Sequence, residues 1–260
     1  MPGSNIESMP VRADVLRELN LYPLWQLRGR PAATPVPVAV EKTQEEPASS
    51  TKPPLEPVKS PETTEVGTEH LNWSQLKKRV TDCTACGLRS GCIQTVFGTG
   101  DKDADWLFVG SWPSEDDETR GEPFAGQAGQ LLDNMLAAIG LKRGENVYLA
   151  NVVKCSGSIK RAPQKNEIDR CAPYLIRQIQ LIQPRIIVVL GHAAATAMLG
   201  EDSEWNSLLG KVHEFRNFSK DASSQAIPLI ITHHPAALLL TPVNKAQAWR
   251  DLCLARNTMQ

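Results

Sequence analysis

Four of the six cysteines have a spacing that suits a metal centre. They are a Cys-x-x-Cys pair and two cysteines far downstream, namely Cys83, Cys86, Cys155 and Cys171. Four thiolates bind either zinc or an iron-sulfur cluster. The wide separation of the last two differs from the tight pairs of zinc ribbons and favours a cluster. The alternative is a set of buried structural thiols, which is our interpretation of Cys92 and Cys253.

Asn151 follows the apolar run 147–150, which we predict to be a strand. An asparagine at a strand end offers both a donor and an acceptor, as needed to bind the amide-like edge of a nucleobase. The alternative is an asparagine that caps a turn. Phe124 lies between Pro123 and small residues, where its ring can face a flat ligand.

A second candidate site follows the apolar run 229–231. His234 can donate a hydrogen bond to charge that develops in a transition state. The leucines at 238–240 are unusual for a loop, and exposed apolar side chains of this kind enter DNA base stacks. The alternative is a helix start that packs its leucines inward.

The elements that must position these residues alternate along the chain. We predict strands at 106–109, 147–150, 186–190 and 229–231, and helices at 129–139, 165–182 and 193–199. This order predicts an α/β fold, a three-layer α/β/α sandwich with a central parallel four-stranded sheet. Ligands bind beyond the carboxyl ends of such strands, which is where the candidate residues lie.

Three zones divide the 260 residues. Residues 1–31 form a predicted short docking peptide, 32–70 a disordered linker rich in Pro and Glu, and 71–260 the folded domain. The net charge of -1 excludes a strongly basic nucleic-acid-binding protein. No apolar run is long enough to cross a membrane, and the N-terminus has no apolar signal core, so neither a membrane location nor export is expected.

Five motifs occur in one order across residues 82–255: Cys83-x-x-Cys86-Gly87-Leu88, Gly121-Glu122-Pro123-Phe124-x-Gly126-x-Ala128-Gly129, Asn151-Val152-Val153-Lys154-Cys155, Cys171-Ala172-Pro173-Tyr174-Leu175 and His234-Pro235-x-x-Leu238-Leu239. Together they resemble the family 4 uracil-DNA glycosylases, the iron-sulfur branch of their superfamily. The resemblance implies removal of uracil from single- or double-stranded DNA by hydrolysis of the N-glycosidic bond after base flipping. It also implies a structural 4Fe-4S cluster on the four cysteines named above.

The resemblance also implies roles for individual residues. Phe124 stacks on the flipped uracil, Asn151 binds its polar edge, His234 stabilises the uracil anion, and Asp117 positions water. The remaining residues contact the substrate or the DNA: the loop Gly110, Ser111 and Trp112 near the base, Lys160 and Arg161 on phosphates, and Leu239 and Leu240, with Leu238, in the minor groove.

The loop after the first predicted strand departs from the family pattern. Ser111 replaces a carboxylate, Trp112 replaces a small residue beside the base pocket, and Ser114 replaces a glycine. Because an indole is much larger than a methyl group, Trp112 is expected to fill part of the pocket. Two functions follow: a working glycosylase, or a catalytically weak or inactive DNA-binding adaptor. A zinc-stabilised nucleotide hydrolase is a third class.

The N-terminal peptide resembles the start of the psi subunit of the bacterial DNA polymerase III clamp loader. This resemblance implies that the chi subunit is a partner, bound through Leu24, Trp25, Leu27 and Arg28. A flexible tether would then raise the local concentration of the domain at replication forks. The alternative is a tail without a partner. We expect a monomeric, cytoplasmic, nucleoid-associated bacterial protein.

Overall fold

The computed structural model describes residues 67–156, 161–200, 204–216 and 226–260. The predicted docking peptide, most of the predicted linker, and Lys160 therefore lie outside the described residues. Within the described part, no helix is long and apolar enough to cross a membrane. The chain preceding the first long helix includes a 3-10 turn at Thr68–His70, and Arg177 Nε donates to the Leu71 carbonyl at 2.8 Å.

Six strands form one mixed sheet. In chain order they are β1 (Thr99–Gly100), β2 (Trp106–Gly110), β3 (Val147–Asn151), β4 (Ile186–Leu190), β5 (Val212–Phe215) and β6 (Ile227–Thr232). The spatial order is β1-β3-β2-β4-β6-β5, and the four central strands are mutually parallel. The predicted four-stranded parallel sheet is confirmed, and the antiparallel edge strands β1 and β5 extend it.

Eight α-helices connect or flank the described strands: α1 (Trp73–Thr81), α2 (Glu115–Arg120), α3 (Gln127–Ala138), α4 (Lys165–Ile182), α5 (His192–Leu199), α6 (Trp205–Leu208), α7 (Pro235–Leu240) and α8 (Lys245–Thr258). Two further 3-10 segments span Gly87–Gly91 and Pro242–Asn244. All three helices predicted between the strands are present, with boundaries that differ by at most two residues.

The central strands are buried on both faces, so their side chains alternate between two separate cores. One core contains Leu107 and Val109 of β2 together with side chains of α1, α4 and α5. The other contains Phe108 of β2 together with side chains of α3, α7 and α8. The predicted three-layer α/β/α architecture is therefore confirmed.

Candidate active site

The carboxyl ends of β2 and β3 bring Gly110 and Asn151 into register as neighbours. A Cβ built on Gly110 would lie 2.3 Å from Asn151 Oδ1 and 2.6 Å from Phe124 Cζ. Both distances are shorter than any van der Waals contact, so only glycine fits between these two side chains. We call Gly110, Phe124, Asn151 and His234 the base pocket.

Asn151 is 2% exposed, and neither atom of its side-chain amide has a hydrogen-bond partner among the described residues. Burying an unpaired amide is unfavourable, because the group gives up its bonds to water. The alternative of an asparagine that caps a turn is therefore wrong, since the amide bonds to no backbone group. Such a buried and unpaired group is available for a ligand that presents one donor and one acceptor.

Phe124 is the aromatic residue of the base pocket, and its ring lies beside Gly110. Its backbone has φ 57°, in the left-handed region, and its side chain is buried in the core beside α3. Its ring centroid lies 5.7 Å from that of His234, with 34° between the ring planes. Phe124 thus lies next to Asn151 across Gly110 and next to His234, at the carboxyl ends of the central strands.

His234 is the N-cap of α7, and its Nδ1 accepts a hydrogen bond from the Ala236 amide at 3.2 Å. Since Nδ1 is the acceptor, the proton of the neutral ring is on Nε2, which can donate to a ligand. Burial lowers the pKa of His234, while the negative charge of Asp117 acts in the opposite direction without cancelling the effect. The ring is therefore a neutral donor at pH 7.

The adjacent histidine points elsewhere. The ring centroid of His233 lies 5.3 Å from that of Trp205, in an edge-to-face arrangement. A built Cβ on Gly191, at the end of β4, would lie 3.0 Å from the Cβ of His234. The small residue therefore leaves room for His234 next to β4, and His234 rather than His233 belongs to the base pocket.

Asp117 is buried and organises the loop that carries Phe124. Its Oδ2 accepts from the Ser114 amide at 3.0 Å, and its amide donates to Ser114 Oγ at 3.2 Å, which forms the capping box of α2. Its Oδ1 accepts from the Ala125 amide at 2.6 Å. Each carboxylate oxygen of Asp117 also has a second lone pair, which can accept a hydrogen bond from water. The predicted role of Asp117 in positioning water stays a prediction.

The next residue of α2, Glu118, faces the segments that carry cysteines. Its Oε2 accepts from the Ile93 amide at 3.1 Å and its Oε1 from the Ser156 amide at 2.7 Å. Burial raises the pKa of Glu118, but bonds from Cys92, Ser156 and Ile93 outweigh it and hold the pKa below its ordinary value. Helix α2 thereby joins the base pocket to the cysteine segments.

Four cysteines surround one cavity on the side of the sheet covered by α1 and α4. Its lining includes the predicted ligands Cys83, Cys86, Cys155 and Cys171. We call it the cysteine cavity. Among the described residues, no three metal-ligating side chains are grouped closely enough to hold a metal ion. A single zinc ion needs four sulfurs about 2.3 Å from one point. An iron-sulfur cluster lies between its four thiolates, which are therefore further apart.

The charges around the cysteine cavity fit an anionic group. Its lining includes the cationic residues Arg89, Lys154 and Arg170, and within the described residues it includes no Asp or Glu. Lys154 is fully buried, and its Nζ donates to the Asn151 carbonyl at 2.8 Å and to Gln178 Oε1 at 2.7 Å. Desolvation lowers its pKa to about 8. An iron-sulfur cluster with four cysteine thiolates would be negatively charged and would balance these cationic residues.

The remaining predicted residues have separate environments. The carbonyl of Ser111 accepts from the Val153 amide at 3.0 Å, and Trp112 packs against the core beside α1 and α4 rather than the core that contains Phe124. The guanidinium of Arg161 forms two hydrogen bonds of 2.8 Å to the carboxylate of Glu167.

The three leucines of α7 separate into two groups. Leu239 is 42% exposed and Leu240 is 86% exposed, as a minor-groove contact requires. Leu238 is buried in the core beside α3, so its predicted place in the groove is wrong. The helical phase of α7 turns Leu238 inward, as expected for a helix start that packs its leucines. The groove contact of Leu239 and Leu240 stays a prediction.

Comparison with known proteins agrees with this geometry. A family model described as the uracil DNA glycosylase superfamily matches residues 97–254. The chain is 38% identical over 169 residues to a type-4 uracil-DNA glycosylase of Archaeoglobus fulgidus, covering 64% of this chain and 82% of the relative. This chain belongs to the uracil-DNA glycosylase superfamily, as the motifs predicted.

Two further relatives carry the same name. The type-4 uracil-DNA glycosylase of Pyrobaculum aerophilum is 33% identical over 184 residues, covering 71% of this chain and 93% of the relative. That of Thermotoga maritima is 34% identical over 171 residues, covering 65% and 84%. The matches therefore extend over most of each relative and over about two thirds of this chain.

Proposed function

We propose that this chain removes uracil from DNA by hydrolysing the N-glycosidic bond, without cleaving the strand. The observation that carries this proposal is the buried, unpaired amide of Asn151. It lies beside Gly110, as does the ring of Phe124, and that ring neighbours His234. All of these residues lie at or after the carboxyl ends of central strands, where ligands of α/β proteins bind. Membership of the superfamily supports the same reaction.

The extruded base would stack on Phe124 and form hydrogen bonds to the Asn151 amide. As the glycosidic bond breaks, its electron pair passes to the base, and positive charge develops on the sugar. The Nε2–H of His234 then stabilises the negative charge on the uracil oxygen. Water adds to the sugar carbon and loses a proton, and the uracil anion takes up a proton, so that the products are free uracil and an abasic site.

Contacts to the DNA would come from the exposed end of α7. Leu239 and Leu240 are expected to enter the minor groove beside the extruded base, and their exposure supports this. Arg161 is expected to contact a phosphate, in which case its ion pair with Glu167 would orient the guanidinium. The proposed phosphate contact of Lys160 lies outside the described residues.

We propose that the cysteine cavity holds a 4Fe-4S cluster as a structural cofactor. When bound, such a cluster supplies a covalent crosslink between chain segments and stabilises the fold. Cys83 and Cys86 precede the sheet, Cys155 follows β3, and Cys171 lies on α4. These four residues would therefore join three separate parts of the chain.

A single-turnover assay tests the proposed reaction. Iron-loaded protein, purified anaerobically, is incubated with a uracil-containing oligonucleotide in single- and double-stranded form, and released base is measured. We expect release by the wild type and a loss of about 10²–10³-fold in rate for His234→Ala. The control is His70→Ala, an exposed histidine of the 3-10 turn before α1, which should keep the wild-type rate.

Trp112→Ala decides between the enzyme and the inactive adaptor. Because Trp112 packs against the core on the other side of the sheet from Phe124, we expect the wild type to release uracil with Trp112 in place. No release by the iron-loaded wild type, with release gained by Trp112→Ala, would show a filled pocket and favour the adaptor.

We further propose that the N-terminal peptide binds the chi subunit of the DNA polymerase III clamp loader. The support is the sequence resemblance alone, because Leu24, Trp25, Leu27 and Arg28 lie outside the described residues. A pull-down with purified chi tests it, and Trp25→Ala should reduce capture. Equal capture of both proteins would contradict docking through this tryptophan. A nucleoid location and a monomeric state likewise stay predictions.

A further inference from the structure

The backbone of Phe124 needs support from its surroundings. A non-glycine residue in the left-handed region costs roughly 1–2 kcal/mol, and Phe124 has φ 57°. A ring that stacks on a base must also keep one orientation. Neighbouring residues must therefore hold the Pro123–Ala125 segment in this conformation.

Arg143, in the loop between α3 and β3, holds this segment from its carbonyl side. Its Nη1 donates to the Pro123 carbonyl at 3.0 Å, and its Nη2 donates to the Phe124 carbonyl at 3.1 Å. Two parallel bonds to consecutive carbonyls suit the planar guanidinium, which presents its donors in a fixed geometry. A lysine has its three donors on a single nitrogen, so it lacks two donor nitrogens in a fixed plane.

Two other residues complete the support. A Cβ built on Gly129 would lie 1.7 Å from the Phe124 carbonyl oxygen, so glycine allows α3 to come close to this loop. The Ala125 amide donates a hydrogen bond to Asp117 Oδ1. The segment is thus bound at its carbonyls by Arg143 and at its next amide by Asp117.

Arg143 is itself fixed to α3. Its Nε donates to Asp133 Oδ1 at 2.8 Å, and its side chain is 24% exposed. This ion pair orients the guanidinium so that its two other donors point to the carbonyls. Because this ion pair is partly exposed, it contributes little to stability by itself. Its main effect is therefore to orient the guanidinium.

We propose that Arg143 is a positioning residue, which fixes the ring of Phe124 for stacking on the extruded base. The role in catalysis rests on the proposed function. The role in ordering the ring does not, because it follows from the contacts of Arg143 alone. The two parts can therefore be tested separately.

The first test measures ring order without any substrate. The full chain, loaded with iron and labelled with 4-fluorophenylalanine, contains five phenylalanines, and Phe124→Leu assigns one fluorine resonance. We expect a single sharp Phe124 resonance in the wild type, and a shifted or broadened one in Arg143→Ala and Arg143→Lys. An unchanged Phe124 resonance in both variants would overturn the proposal, whether or not the protein is an enzyme.

The second test measures the reaction. A small misplacement of a binding group costs up to about 100-fold in rate, so we expect Arg143→Ala to lower the single-turnover rate constant by about 10- to 100-fold. Binding to an abasic-site oligonucleotide should change by less than about twofold. Asp133→Asn, which keeps the guanidinium but weakens its orientation, should have a smaller effect.

Added guanidinium ion should restore part of the rate of Arg143→Ala but none of the rate of His234→Ala. The matched control is Arg185→Ala, because Arg185 is exposed and its ion pair with Asp105 spans 4.0 Å. An unchanged rate in Arg143→Ala, beside an active wild type, would overturn the role in catalysis. An inactive wild type with the expected fluorine spectra would overturn the proposed function and leave the ring-ordering role supported.

Discussion

The base pocket and the cysteine cavity differ in what holds their residues together. The base pocket is held by the protein itself: Gly110 leaves no room for a methyl group, and Nδ1 of His234 is bound by its own helix. Among the described residues, the Asn151 amide of the base pocket has no partner. The cysteine cavity instead brings together thiols that no disulfide joins within the described chain, and the Lys154 amide donates to Cys171 Sγ at 3.4 Å. The base pocket is thus preorganised for the proposed base, whereas the cysteine cavity would depend on the proposed cluster to join its segments.

The largest effect should come from removing a proposed cluster ligand. Cys83→Ser should lose most of the iron and lower Tm by about 10 °C, which corresponds to about 3 kcal/mol for a domain of this size. The measurements are iron content per chain and the thermal unfolding curve. Cys253→Ser, outside the cavity lining, is the control. Full iron content and an unchanged Tm in Cys83→Ser would contradict the structural cluster.

A methyl group in the base pocket should affect the reaction more than the fold. Gly110→Ala places its Cβ against Asn151 and Phe124, at a cost of about 1–3 kcal/mol from overpacking. We expect uracil release to fall at least tenfold while the iron content stays at the wild-type level. Gly67→Ala is the matched control, because Gly67 is exposed and has room for a Cβ. Equal rates in both variants would refute the close packing of the pocket.

The exposed end of α7 should matter for duplex DNA alone. Leu240→Ala removes an apolar side chain that is 86% exposed, so the free energy of unfolding should change by less than about 0.5 kcal/mol. Release from double-stranded DNA should fall severalfold, with little change for single strands, in which no stack has to be opened. Ile93→Ala, another exposed apolar side chain, serves as the control. A uniform loss on both substrates would argue against the groove contact.

The smallest effect concerns the charge state of His234. Because burial lowers its pKa below about 6.5, the unfolded chain takes up the proton first as the pH falls. The contribution of His234 to the free energy of unfolding therefore decreases as the pH falls below about 6.5. The decrease ends once the pH is below the lowered pKa of the folded state. NMR titration of labelled histidine should give a midpoint below 6.5, and Asp117→Asn should lower it further. A midpoint above 6.5 in the wild type would contradict the neutral donor.

The central strands could be predicted because they are short apolar runs that are buried on both faces. The edge strands could not: β1 has only two residues, and β5 contains His213 and Glu214 and is largely exposed. Pairing with a neighbouring strand defines these edges, and no hydrophobic period marks them.

The site was predictable to the extent that its residues follow strand ends. Phe124, Asn151 and His234 were found in this way, and the structure brings them together. Arg143 was missed, because nothing in a charged loop shows that its guanidinium reaches carbonyls about twenty residues earlier in the chain. Leu238 and Leu240 differ only in helical phase, which the sequence alone did not resolve.

The most direct test of the central claim is to measure Asn151→Leu for both stability and activity. The claim is that the buried amide is kept unpaired for the base, at a cost to the fold. It predicts that the apolar variant unfolds at the wild-type Tm or higher and retains its iron, while single-turnover uracil release falls by about 100-fold or more. Unchanged uracil release by a stable, iron-loaded Asn151→Leu protein would contradict the claim.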